Sequence, residues 1–152
     1  MADKQPLTYR ITARDRYSRN GAVEITFAFA NSGTTTAWVL RWNTPFEPLS
    51  ADIFRVACEG RPELLRYVGR MVKRGDPDSR DYVSIGAGEE QSVVVDLALS
   101  YDFRAAASGR CDVDFTGEML DVQYAETLSR RGRDRFAGAL VHGTGARFSV
   151  VD

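Results

Sequence analysis

Apolar and polar residues alternate with a period of two along most of the chain, a pattern that commits it to strands with one buried face. Leu7, Tyr9 and Ile11 alternate with Thr8, Arg10 and Thr12. After the turn-like Arg19-Asn20-Gly21, residues Val23, Ile25, Phe27 and Phe29 alternate with Glu24, Thr26 and Ala28, which predicts a first hairpin. The cluster Asn31-Ser32-Gly33-Thr34 breaks the pattern, and Trp38-Val39-Leu40-Arg41-Trp42 resumes it ahead of a proline-bearing loop from Asn43 to Ser50. Further strands are expected over Ile53 to Cys58, Arg66 to Val72, Tyr82 to Ile85, Gln91 to Leu99, Cys111 to Tyr124 and Arg147 to Val151.

No stretch longer than about ten residues keeps helical apolar spacing free of glycine and β-branched clusters, so helices are expected only as short turns near Leu49 to Asp52 and Ala105 to Ser108. Many short strands with a turn signal about every ten residues predict an all-β, immunoglobulin-like antiparallel β-sandwich of about seven to nine strands. With 152 residues, 43% of them apolar, and no internal repeat or shift in composition, the chain reads as a single sandwich domain over 1–152. Two long connections stand out: the polar stretch from Gly75 to Asp81, and Ala125 to Gly145, which carries Arg130, Arg131, Arg133 and Arg135 and is expected to be the mobile loop.

Charge narrows the partners. Twenty Lys and Arg against 21 Asp and Glu leave no net field to favour nucleic acid or an anionic membrane. No apolar run reaches the roughly 18 residues of a membrane span. The start, Met-Ala-Asp-Lys-Gln-Pro, lacks the apolar core of a secretory signal, so the chain as written is expected in the cytoplasm.

The chemistry of catalysis is thinly represented. His142 is the single histidine, whereas an HExxH zinc site needs two imidazoles one helical turn apart. There is no GxSxG elbow, and His142 lies in the glycine-rich Val141-His142-Gly143-Thr144-Gly145, which reads as an exposed loop. Phosphate-binding and dinucleotide-binding glycine signatures are absent, and Gly86-Ala87-Gly88 reads as a turn. Asp112 and Asp114 share one face of a strand and read as its solvent positions. No enzymatic activity, cofactor or metal is therefore expected.

Cys58 and Cys111 both point inward by the alternation. They are either two buried thiols, the reading favoured here, or a pair that meets across the sheets. Trp38 and Trp42, four apart, lie on the same side and read as core aromatics between two sheets rather than as a platform for ligand stacking.

Certain fragments form a recognisable series: Asn31-Ser32-Gly33, Trp42 through Glu47, Asp52-Ile53-Phe54, Tyr67 through Arg74, Asp81-Tyr82-Val83, Gly88-Glu89-Glu90, Val95-Asp96-Leu97, Tyr101-Asp102, Gly109 and the strand Ala146 to Val151. In this order they resemble the non-catalytic, prodomain-like N-terminal region that precedes the zinc domain in peptidyl-Lys metalloendopeptidases and other deuterolysin-like proteases. The intracellular proteinase inhibitors of bacilli share a looser version. The chain is expected to stand alone without the zinc domain, and Cys111 stands where the family tends to have an aromatic residue. The resemblance implies a stand-alone binding protein that inhibits a zinc metalloendopeptidase or assists its folding. The competing expectation is a structural or scaffolding sandwich with an unrelated protein partner.

Two loops are expected to meet the partner. In the first, Asn43 to Pro48, which presents Asn43, Thr44, Pro45, Phe46 and Glu47, the prolines lower the cost of ordering. Phe46 there is either an exposed apolar anchor or tucked under its own loop. In the second, Asp76 and Pro77 follow Lys73 and Arg74, which either imitate the basic residue a lysine-cutting protease recognises or are simply solvated.

Overall fold

The computed structural model describes residues 5–152, so the first four residues of the expected leaderless start lie outside the described part. Thirteen strand segments follow one another: β1 Leu7–Thr12, β2 Arg16–Ser18, β3 Glu24–Asn31, β4 Ala37–Leu40, β5 Phe54–Cys58, β6 Tyr82–Ile85, β7 Glu90–Asp96, β8 Gly109–Phe115, β9 Glu118–Met119, β10 Val122–Tyr124, β11 Ala139–Leu140, β12 His142–Thr144 and β13 Ala146–Val151. Eight of them run four residues or more, within the expected seven to nine. The others are two- or three-residue pieces. Helical structure is limited among the described residues to single 3-10 turns, one of them at Phe103–Ala105 beside the expected position; Leu49 to Asp52 forms none.

Two four-stranded sheets, β12-β1-β3-β7 and β2-β13-β8-β5, supply the layers of the sandwich. Their inward faces follow the period-2 pattern, as in the alternating burial of Leu7, Tyr9 and Ile11 on β1 and of Phe54, Val56 and Cys58 on β5. Phe27 on β3 sits between them, 5.0 Å from Phe115 on β8 and 6.3 Å from Phe54 on β5, with Tyr9 stacked on it at 5.8 Å. Edge-to-face geometry at these separations adds to the burial of the rings.

The first hairpin is looser than expected. β1 and β3 do pair antiparallel, Tyr9 opposite Phe29, but between them β2 crosses to the other sheet and pairs parallel with β13. β12 likewise pairs parallel with β1, so the sandwich is antiparallel except at two edges. Gly143 makes that second pairing possible, since a Cβ there would come within 2.0 Å of the Tyr9 carbonyl oxygen.

β4 belongs to a third, three-stranded sheet, β10-β4-β6, buried on both sides. Ala37 and Val39 face the main core, whereas Leu40 joins Trp42 and Tyr82 in a second cluster covered by Leu120, Leu128 and Phe136. Trp42 thus packs outside the main core, not between two sheets as expected. What covers it is the arginine-rich connection.

That connection is held down along its length, contrary to the expected mobile loop. Trp42 and Phe136 lie 6.4 Å apart, and Arg131 reaches both carboxylate oxygens of the fully buried Asp121.

Arg66 to Val72 is not a strand. A single bridge, Tyr67 to Tyr101, and the bond from the Val68 N–H to the Ser100 carbonyl anchor one end. Beyond Gly69 the chain runs without regular structure to Pro77. Arg66, Arg70, Lys73 and Arg74 crowd this stretch with charge, which disfavours a place inside a sheet.

Cys58 and Cys111 form a disulfide, correcting the expectation of buried thiols, and the bridge lies within one sheet rather than between the two. The residues face each other directly on β5 and β8, with Cα atoms 4.1 Å apart, the close spacing of a pair without backbone hydrogen bonds of its own.

Candidate protein-binding face

The loop after Trp42 is built by its own side chains. Asn43 adopts a left-handed conformation, φ 59°, which asparagine tolerates better than most non-glycine residues. Its N–H donates to Glu47 Oε2 at 2.9 Å. Thr44 is fully buried; its hydroxyl donates to the Arg41 carbonyl at 2.7 Å and accepts the Phe46 N–H at 3.1 Å. Pro45 is buried as well. Phe46 stacks on Phe29 at 5.5 Å, so this side chain closes the end of the main core and presents only part of its surface outward.

Arg74 draws the two expected loops together. It forms an ion pair with Glu47, donates to Ser50 Oγ at 3.2 Å and lies 4.9 Å over the Trp42 ring. The ring thereby has a cation above it already. Lys73 is exposed beside it. Asp76 accepts the Arg133 N–H at 3.1 Å, and Arg133 in turn donates to the Arg74 carbonyl at 2.8 Å. Pro77, half-buried, lies outside both clefts that the loops border.

The two loops border different clefts. A polar one lies between Trp42, Lys73, Arg74 and Arg133. The loop from Pro45 to Leu49 also lines an open groove of about 580 Å³, together with Val93 to Asp96 of β7 and with Gly69, Arg70, Leu99 and Ser100.

Two apolar side chains that line this groove stand in the open, Val94 60% exposed and Leu99 77%, and on the segment that carries Gly69 and Arg70, Val68 is 54% and Met71 87% exposed. The sequence reading missed them, because it placed Val68, Met71 and Val72 in a half-buried strand. A signal was present in Val93-Val94-Val95, a run that leaves at least one valine outside whichever face is buried.

The remaining candidates stand apart. His142 is exposed in β12, opposite Thr8. Asp112 and Asp114 face solvent, and Asp112 accepts from Arg147 Nε at 2.7 Å. Among the described residues, no three His, Cys, Asp or Glu side chains converge as a metal site would require.

A buried polar centre that the sequence reading also missed sits under the arginine-rich connection. Asp121 accepts from Tyr82 Oη, from Arg131 and, at 2.8 Å, from the Ala137 N–H. Burial alone raises a carboxyl pKa, but these donors outweigh it and hold Asp121 below the usual carboxylate range. The Tyr82 phenol is pushed far up, first by burial and then by the neighbouring carboxylate.

No family model matches the chain. Over 83 residues it is 29% identical to an extracellular protease of Aeromonas hydrophila, a stretch covering 55% of this chain and 23% of that protein. Among solved structures, the solution structure of a CARDB domain from Pyrococcus furiosus aligns over 96% of this chain and 94% of its own at 15% identity and a TM-score of 0.39. Among the described residues, no helix is long and apolar enough to cross a membrane. The chain is an all-β sandwich with partial sequence similarity to a protease.

Proposed function

We propose that this chain is a protein-binding sandwich, without catalytic activity of its own, whose partner is a metalloprotease that it inhibits or helps to fold. The observation that carries the binding reading is the exposure of Val94 and Leu99 in one groove, with Val68 and Met71 exposed on the chain segment that includes its lining residues Gly69 and Arg70. Large apolar side chains gathered at a groove with a polar surround mark a surface that spends part of its time covered. The partial similarity to an extracellular protease and the resemblance to a protease prodomain support the choice of partner.

The binding face comprises the Asn43-to-Pro48 loop, held rigid by Thr44, Glu47 and the Arg74 ion pair, together with the segment from Val68 to Arg74. Because the loop is internally bonded, little conformational entropy is lost when it docks.

Titrating a lysine-specific zinc endopeptidase with the chain, from nanomolar to tens of micromolar, tests this. Saturable inhibition or complex formation is expected, weakened at least about tenfold by Met71→Glu or Leu99→Glu, the loss of roughly 1.4 kcal/mol or more. No complex at the highest concentration would discard this protease as the partner and leave the scaffolding role.

A further inference from the structure

We propose that the outer edge of β7 takes up one extended polypeptide strand, apolar at alternate positions and carrying an acidic residue that meets Arg70. This rests on reading the same groove as a binding face, but not on who the partner is.

The hydrogen-bond register fixes which groups are free. The Asn31 N–H donates to the Glu89 carbonyl and the Leu97 N–H to that of Val23, so the odd-numbered residues of β7 bond to β3. By alternation, the N–H and C=O groups of Ser92 and Val94 point away from the sheet, and among the described residues neither has a backbone partner.

Other sheet ends are shorter or occupied. β2, β10 and β12 have three residues and β6 four, while β5 has its outward Val56 and Cys58 carbonyls taken by the N–H groups of Leu65 and Arg61. β7 runs seven residues with nothing beyond it. Proteins usually blunt such an edge with proline, lysine or a cover; here Ser92 and Val94 leave it open and the groove lies alongside. An added strand would gain backbone bonds from β7 and lay alternate side chains against Val94, Leu99 and Phe46.

Charge selects the occupant. Three charged residues line the groove. Glu47 is paired with Arg74, and Asp96 Oδ1 accepts the Val23 and Ala98 N–H groups at 2.9 and 3.0 Å. Arg70, exposed, has only the Pro48 carbonyl at 3.5 Å. Arg70 is therefore the charged side chain of the groove with the least internal bonding, and an acidic residue is what it would pair with. A second copy paired antiparallel with Ser92 opposite Val94 would set Glu90 against Asp96 at both ends, which disfavours that register.

The test uses two capped heptapeptides of alternating valine and threonine, one beginning and one ending in aspartate, titrated into the full ¹⁵N-labelled chain. At least one should bind saturably, with the largest amide shifts at Ser92 and Val94. N-methylation of alternate peptide amides should weaken it about tenfold, equivalent to one or two net hydrogen bonds. Val94→Pro, which removes an N–H that serves no intramolecular bond, should do the same in a folded protein. Arg70→Glu should transfer the preference to peptides with lysine in place of aspartate. The proposal is overturned by the absence of saturable shifts up to several millimolar, by shifts centred elsewhere, by N-methylated peptides binding equally well, or by a dimer of the chain that Val94→Pro dissociates.

Discussion

Asp121 holds a charge with no exposure to solvent, and its donors come from Tyr82, Arg131, Gln123 and the Ala137 backbone. Removing one partner of such a pair strands the other, so Asp121→Ala is expected to cost roughly 3 kcal/mol in urea unfolding. The pH dependence has a definite sign. Because its folded pKa is depressed, the unfolded chain takes up the proton first. The stabilisation is complete above about pH 4, the ordinary carboxylate range, and falls away as acid lowers the pH through the folded value. Asp121→Asn should flatten that acid limb relative to wild type; an unchanged limb would show that the ion pair contributes nothing. None of this was legible in the sequence, where Asp121 stands as one more polar residue in an expected strand and Arg131 as one of four arginines in an expected mobile loop. Its burial depends on a contact ten residues away that no local period encodes. Thr44 and Phe46, by contrast, lie in a loop that proline made conspicuous, but the sequence does not reveal that Phe46 stacks on Phe29.

At the scale of elements, period two located β1, β3, β5, β7, β8 and β13, the longer strands of the two four-stranded sheets, because each buries one face against the opposite sheet; the expected strand from Cys111 to Tyr124 is broken after Phe115 into β8, β9 and β10. It failed at Arg66 to Val72, where alternation exists without a neighbouring strand to pair with, and at the Trp38-to-Trp42 stretch, which has a core on each face. The disulfide joins two adjacent strands and closes a loop with a sequence separation of 53. In the chain-entropy account, a link of that span restricts the unfolded state by roughly 4 kcal/mol. Replacing both cysteines by alanine, or reducing the bond, should lower the unfolding free energy by about 2–5 kcal/mol in a denaturant titration. A change below about 0.5 kcal/mol would mean the β5–β8 ladder needs no covalent help.

Across the whole molecule, cohesion is uneven in a way opposite to what composition suggests. The arginine-rich connection is fastened by Phe136, Arg131 and Arg133, whereas the segment from Gly69 to Lys73 has few backbone bonds and an exposed Met71. Trypsin should therefore cut first after Arg70 or Lys73, and later after Arg130, Arg133 or Arg135, as peptide mass mapping at short digestion times would reveal. First cleavage within 130–135 would contradict the packing of that connection. The order of strands has one more consequence. β13, near the end of the chain, lies between β8 and β2, with Ser149 opposite Arg16. During synthesis at about 5–20 residues per second, β2 waits on the order of ten seconds for that neighbour. The second sheet is thus assembled only after translation of the domain is essentially complete, and until then the aromatic faces of β3 and β8 need shelter from the ribosome's crowded surroundings.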